Sequence, residues 1–93
     1  MKLIQKVKIK NNLGLHTRPA TVIVKQLQTY KSKVFFTYKD ETINARSIMG
    51  ILMLAAKKNC RITIQVEGDD ATSVMDMLVA AFENRFGEDH ERI

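Results

Sequence analysis

The 93 residues carry 15 Lys and Arg against 10 Asp and Glu, for a formal net charge of +5, and 45% of them are hydrophobic. That length allows one modest core, expected as a single domain over residues 1–93, and no apolar run approaches the ~18 residues of a membrane span. A single cysteine, Cys60, excludes an internal disulfide and any cysteine-based metal cluster. The opening "MKLIQKVKIK" alternates, unlike the unbroken apolar run of a secretory signal. A soluble cytoplasmic protein with no membrane insertion is therefore expected. The positive charge favours acidic partners, but the lysines are scattered and form no basic arm. They read as a solvated face, and no nucleic acid partner is expected.

Residues 2–10 place Leu3, Gln5, Val7 and Ile9 on one face and Lys6, Lys8 and Lys10 on the other, the pattern of a half-buried strand. "NNLG" (residues 11–14) breaks it with turn formers. A helix over about 17–30 follows, with Ala20, Ile23, Val24 and Leu27 at core spacing. Pro19 fits only in its first turn, where a missing N–H costs nothing. "KVFFTYK" is a strand with Val34, Phe36 and Tyr38 on one face, "KDET" turns it, and residues 42–45 return. Ser47 reads as the cap of a second helix over about 48–58, with Lys57 and Lys58 in its last turn and Asn59 as left-handed stop. "RITIQVE" is a strand with Ile62, Ile64 and Val66 inward. Asp69 or Asp70 then caps a last helix with Val74, Leu78, Ala81 and Phe82 buried. Gly87 ends that helix, and "EDHERI" reads as a frayed tail. The order β-α-β-β-α-β-α predicts an α+β fold: a four-stranded antiparallel sheet, three helices on one face, and water on the other.

The chemistry concentrates at "GLHTRPA" (residues 14–20). His16 stands at the mouth of the first helix, where backbone N–H groups lack intrahelical partners and negative charge is favoured. A neutral imidazole there is a nucleophile, and a phosphoryl group placed on it would meet those donors. Arg18 supplies a fork of donors suited to phosphate oxygens. Gly14 permits a tight turn before the histidine, and Pro19 stiffens the turn after it. A simple capping role for His16 stays open on spacing alone. A metal site would need further ligands, and His90, the other histidine, lies in the tail. A hydrolase triad would need a buried acid in register, and none is near in sequence.

"GLHTRPA" is similar to the phosphorylation-site motif of the histidine-containing phosphocarrier (HPr) family of the bacterial phosphoenolpyruvate:sugar phosphotransferase system. "SIMG" (residues 47–50) resembles the regulatory serine segment of the same family, and the likeness spans the chain in length and element order. It implies an open-faced β-sandwich with strand order 1-4-2-3. It implies that His16 carries the group on Nδ1, that Arg18 stabilises it in transfer, and that Ser47 is the target of an HPr kinase/phosphorylase. The implied donor is phosphorylated enzyme I and the implied acceptors are IIA components of sugar permeases. No metal or organic cofactor is implied, and the carrier is expected to be a monomer without independent turnover. A rival reading is an HPr-like regulator acting through phospho-Ser47 on a transcription factor or enzyme. In place of the glycine common after the family's second helix, this chain has "KKNCR".

Residues 48–56 contain no charge. If Ile48, Ile51, Leu52 and Ala55 face the core, Met49 and Met53 point elsewhere, and exposed methionines make an adaptable docking surface. Thr17, Ala20, Ile48, Met49 and Met53 are the expected partner-binding set.

Overall fold

Alternating side chains build β1 (Lys2–Lys8), which buries Val7 and leaves Lys2, Lys6 and Lys8 in water. The computed structural model describes residues 1–88; His90 and most of the expected tail lie outside the described residues. α1 (Thr17–Leu27), β2 (Lys33–Tyr38), β3 (Glu41–Asn44), α2 (Ile48–Met53), β4 (Arg61–Glu67) and α3 (Ala71–Glu83) follow. The sheet is antiparallel with order β1-β4-β2-β3, the order implied by the family resemblance. Ile62, Ile64 and Val66 of central β4, with Val34 and Phe36 of β2, meet Ala20, Ile23 and Leu27 of α1 and Val74, Leu78 and Phe82 of α3 in one buried cluster. All these side chains are nearly or fully withdrawn from water, and each of them larger than alanine stabilises the fold by about 1.5–3 kcal/mol before entropy is counted.

Several element ends differ from expectation. α1 stops at Leu27 rather than Tyr30, because the carbonyls of Leu27, Tyr30 and Ser32 turn to the Arg46 guanidinium at 2.8, 2.9 and 2.8 Å. α2 is much shorter than expected. It ends at Met53, and Ala55 takes a left-handed conformation (φ 50°), so Lys57 and Lys58 are not in a helical turn. Asn59 is left-handed as expected (φ 74°), but in the turn into β4. The burial phase of this segment also shifts: Leu54 and Ala56 are buried, while Ile48 and Ala55 are exposed. Val24 and Ala81 are only half-buried, and Met75 joins the core instead.

Asp70 precedes α3, but its carboxylate makes no cap bond. It reaches across to accept from the Lys31 N–H (2.8 Å), the Ser32 N–H (3.0 Å) and the Ser32 hydroxyl. The Ser32 hydroxyl above all, then the Lys31 N–H, holds its carboxyl below the usual carboxylate range. α3 ends four residues before Gly87. Arg85 and Phe86 are left-handed (φ 51° and 52°), and a short 3₁₀ turn, Arg85–Gly87, brings Phe86 edge-on to Phe82 at 4.8 Å. Cys60 is half-buried against the Tyr38 hydroxyl (3.1 Å); that bond lowers the thiol pKa and raises the phenol's.

Candidate functional site

The loop between β1 and α1 is held from three sides. Gly14 has φ 67°, and a Cβ there would lie 2.3 Å from the Ala56 carbonyl oxygen and 2.9 Å from Lys57 Cα. Only glycine fits such an approach. The next residue, Leu15, is buried and donates its N–H to that same Ala56 carbonyl at 3.1 Å. The early end of α2 is thus what presents Ala56 to the loop. Asn11, fully buried, ties the loop to the 3₁₀ turn by donating from Nδ2 to the Arg85 carbonyl at 2.8 Å.

His16 follows as the N-cap residue of α1, in extended conformation (φ −80°, ψ −170°). Its carbonyl accepts the first helical bond, from the Ala20 N–H at 3.1 Å. Its side chain makes no cap bond, so the simple capping role is not the one it plays. Pro19 removes one N–H from the first turn, leaving those of Thr17 and Arg18 without intrahelical partners. No acidic residue lies in that turn, so the positive end of the helix dipole is left to an outside charge.

The largest departure from the sequence reading is Glu88. Placed in the expected tail, it is instead buried, with its side chain 3% exposed. Its carboxylate oxygens lie 3.1 and 3.0 Å from His16 Nε2, and Oε1 accepts from Asn11 Nδ2 at 2.6 Å. An ionised carboxylate only accepts, so Nε2 is the donor and Nδ1 is left with the lone pair. Arg18 Nε stands 3.8 Å from Glu88 Oε2, while the arginine side chain is 73% exposed. The buried acid absent from the neighbourhood in sequence is therefore supplied 72 residues away. Neither periodicity nor any motif marks Glu88; Phe86, an apolar residue two positions before it, is the one hint in the sequence that the chain stays packed there.

His16, Arg18, Gly14 and Pro19 are thus gathered at one point, with Glu88 and Asn11 added. A histidine whose Nδ1 has no partner among the described residues, an exposed guanidinium and N–H groups without intrahelical partners are suited to holding a phosphoryl group covalently. The family model described as "PTS HPr component phosphorylation site" matches residues 3–84. The chain belongs to the HPr phosphocarrier family. It is 45% identical to the phosphocarrier protein HPr of Chlamydia muridarum over 86% of this chain and 77% of that one. It is 37% identical to HPr of Xylella fastidiosa, over 87% of this chain and 91% of that one. The crystal structure of an HPr from Thermoanaerobacter tengcongensis superposes with a TM-score of 0.89 at 33% identity, covering 94% and 98% of the two chains. HPr is a phosphocarrier of the phosphotransferase system.

Ser47 is the N-cap residue of α2, and its hydroxyl oxygen accepts from the Gly50 N–H at 2.9 Å. α2 packs on α1. Met49 (68% exposed) and Met53 (71%) face water, with Ile48 partly so. Ala20 leaves the docking set: it lies on the inward face of α1, fully buried, and presents nothing to a partner. Leu13, 64% exposed in the loop before His16, is an apolar residue that the sequence reading passed over. No helix of the described residues is long and apolar enough to cross a membrane.

Proposed function

We propose that the protein accepts a phosphoryl group on His16 Nδ1 from phosphorylated enzyme I and passes it to IIA components of sugar permeases. The observation that carries this is His16 at the N-terminus of α1, its Nε2 engaged by Glu88 and its Nδ1 without a partner among the described residues. In transfer, the Nδ1 lone pair attacks phosphorus, a P–N bond forms, and the donor's bond to phosphorus breaks with its electron pair leaving on the donor atom. The reverse sequence delivers the group to the acceptor. Arg18 and the first-turn N–H groups oppose the charge on the phosphoryl oxygens. No hydrolytic step is involved, so the protein is a carrier without independent turnover, acting in the cytoplasm as a monomeric single domain.

Ser47 is proposed as a regulatory site for an HPr kinase/phosphorylase. An exposed hydroxyl at a helix N-terminus beside Ile48 and Met49 supports that reading. A phosphate there would favour the helix dipole and place about −1.5 to −2 charges beside the apolar docking residues Ile48, Met49 and Met53, with Thr17 at the rim. Incubation with enzyme I and labelled phosphoenolpyruvate tests the main reading. Acid-labile, base-stable label is expected on the wild type and none on His16→Ala. Equal labelling of both would remove His16 as the acceptor.

A further inference from the structure

The Glu88 carboxylate is buried, yet it touches the one side chain on which the proposed transfer depends. We infer that Glu88 is a positioning residue for His16: it fixes the imidazole as the Nε2–H tautomer and offsets the positive charge the ring gains on phosphorylation. The inference rests on the carrier reading for its second half; the first half concerns the free protein.

The geometry supplies both effects. Two carboxylate oxygens at 3.1 and 3.0 Å from Nε2 leave that nitrogen no role but donor. The carboxylate is itself anchored, by Asn11 Nδ2 at 2.6 Å, and Asn11 is in turn fixed to the Arg85 carbonyl at 2.8 Å. Both Asn11 and Glu88 are withdrawn from water, so the ring is oriented by groups that do not swing. The backbone N–H of Glu88 bonds to the same Arg85 carbonyl at 2.9 Å, which sets the approach of its side chain. A carboxylate–imidazole pair of this kind holds a tautomer and stabilises an imidazolium without taking the proton.

The charge balance gives Glu88 its part in transfer. When the Nδ1 lone pair is committed to phosphorus, the ring keeps its Nε2 hydrogen and becomes cationic. In water that cation is solvated; here it faces the buried Glu88 carboxylate across a partly buried, charge-assisted bond. The interaction is stronger after the lone pair is shared than before, so it favours the phosphorylated state and the path to it. Nε2 and Nδ1 point away from each other on the ring, so the carboxylate sits behind the reacting nitrogen. Arg18, 3.8 Å from Glu88 Oε2 and otherwise exposed, is kept near the ring and remains able to turn to the phosphoryl oxygens.

The test uses the full chain with ¹⁵N-labelled histidine, His16 being distinguished from His90 by a His90→Gln control. Ring nitrogen shifts of His16 at neutral pH are expected to show a single Nε2–H tautomer in wild type and a mixture in Glu88→Ala. Glu88→Gln keeps an oxygen to accept from Nε2 and from Asn11 but loses the charge. It is expected to retain the tautomer while lowering kcat for phosphorylation by enzyme I, and equilibrium phosphorylation by phosphoramidate, roughly five- to tenfold with KM unchanged. Ring shifts identical in wild type and Glu88→Ala would overturn the tautomer role, and wild-type transfer by Glu88→Gln would overturn the charge role. If enzyme I failed to phosphorylate even the wild type, the carrier reading would fall, while the ring shifts and the phosphoramidate reaction would still decide for or against Glu88.

Discussion

Arg46 donates to the carbonyl of Leu27, the last residue of α1, at 2.8 Å, joining the β3–α2 connection to the end of a helix 19 residues earlier. The same guanidinium takes the Tyr30 and Ser32 carbonyls, so one side chain closes the whole α1–β2 turn. Arg46→Met is expected to lower stability by about 2–4 kcal/mol, since charge-assisted bonds contribute about 1.5–3 kcal/mol each and the three are not additive. Arg46→Lys should recover only part, because a compact ammonium cannot span three carbonyls as the planar fork does. Urea midpoints of the three proteins check this.

Gly14→Ala is expected to be among the most damaging single methyl additions in the chain. The new Cβ would stand 2.3 Å from the Ala56 oxygen at a φ of 67°, and backbone on both sides resists a shift. The expected loss is about 2–4 kcal/mol from strain and displaced contacts. Because the Leu15–Ala56 bond would break with it, phosphorylation of His16 should fall further than the folded fraction does. Activity that simply follows the folded fraction would mean that the loop regains its position.

Asp70 predicts a limit at acid pH. Its carboxyl is held below the usual range by the Ser32 hydroxyl and then the Lys31 N–H. A depressed folded pKa means that the stabilisation is complete above the unfolded value, about 3.9, and drains away as pH falls through the folded one. Melting temperature should therefore drop below about pH 4 in wild type. Asp70→Asn should melt lower than wild type at pH 7 and show a flatter acid limb. Parallel acid limbs would shift the effect to other carboxylates.

Ser47→Ala should cost about 1 kcal/mol, the ordinary value of an N-cap, because the Gly50 N–H loses its acceptor. Ser47→Asp keeps an acceptor and adds about 0.3–1 kcal/mol of favourable dipole interaction, so its melting temperature should match or exceed wild type. Its affinity for enzyme I should nevertheless fall, since the charge stands beside exposed Ile48 and Met49. Lost affinity together with a collapsed melting temperature would point to unfolding instead of a blocked surface.

What the sequence made legible was periodic or motif-borne. Ile62, Ile64 and Val66 alternate, Ala20, Ile23 and Leu27 recur at helical spacing, and the His16 to Pro19 run reads as a helix mouth. What it concealed was non-local. The composition of residues 54–58 is helix-compatible and so predicts a longer α2; the left-handed Ala55 just after it serves the loop at Gly14, 41 residues away in sequence. Asp70 looked like a cap because local spacing cannot reveal that Ser32 is a better placed donor. Glu88 looked like tail because its partners, Asn11 and His16, lie at the other end of the chain.

The strand order has a consequence for the chain as it is made. β1 is synthesised before its neighbour in the sheet, β4, which begins roughly 60 residues later. At about 5–20 residues per second, that leaves β1 without its partner for several seconds. During that time an apolar row of Leu3, Val7 and Ile9 is available to any other unpaired strand. The lysines at 2, 6, 8 and 10 line the opposite face of the same segment and repel a second copy of themselves. Four of the chain's 15 lysines and arginines lie in this one segment, and a variant with Lys6 and Lys8 made neutral should fold to the same structure while yielding more aggregate on the way.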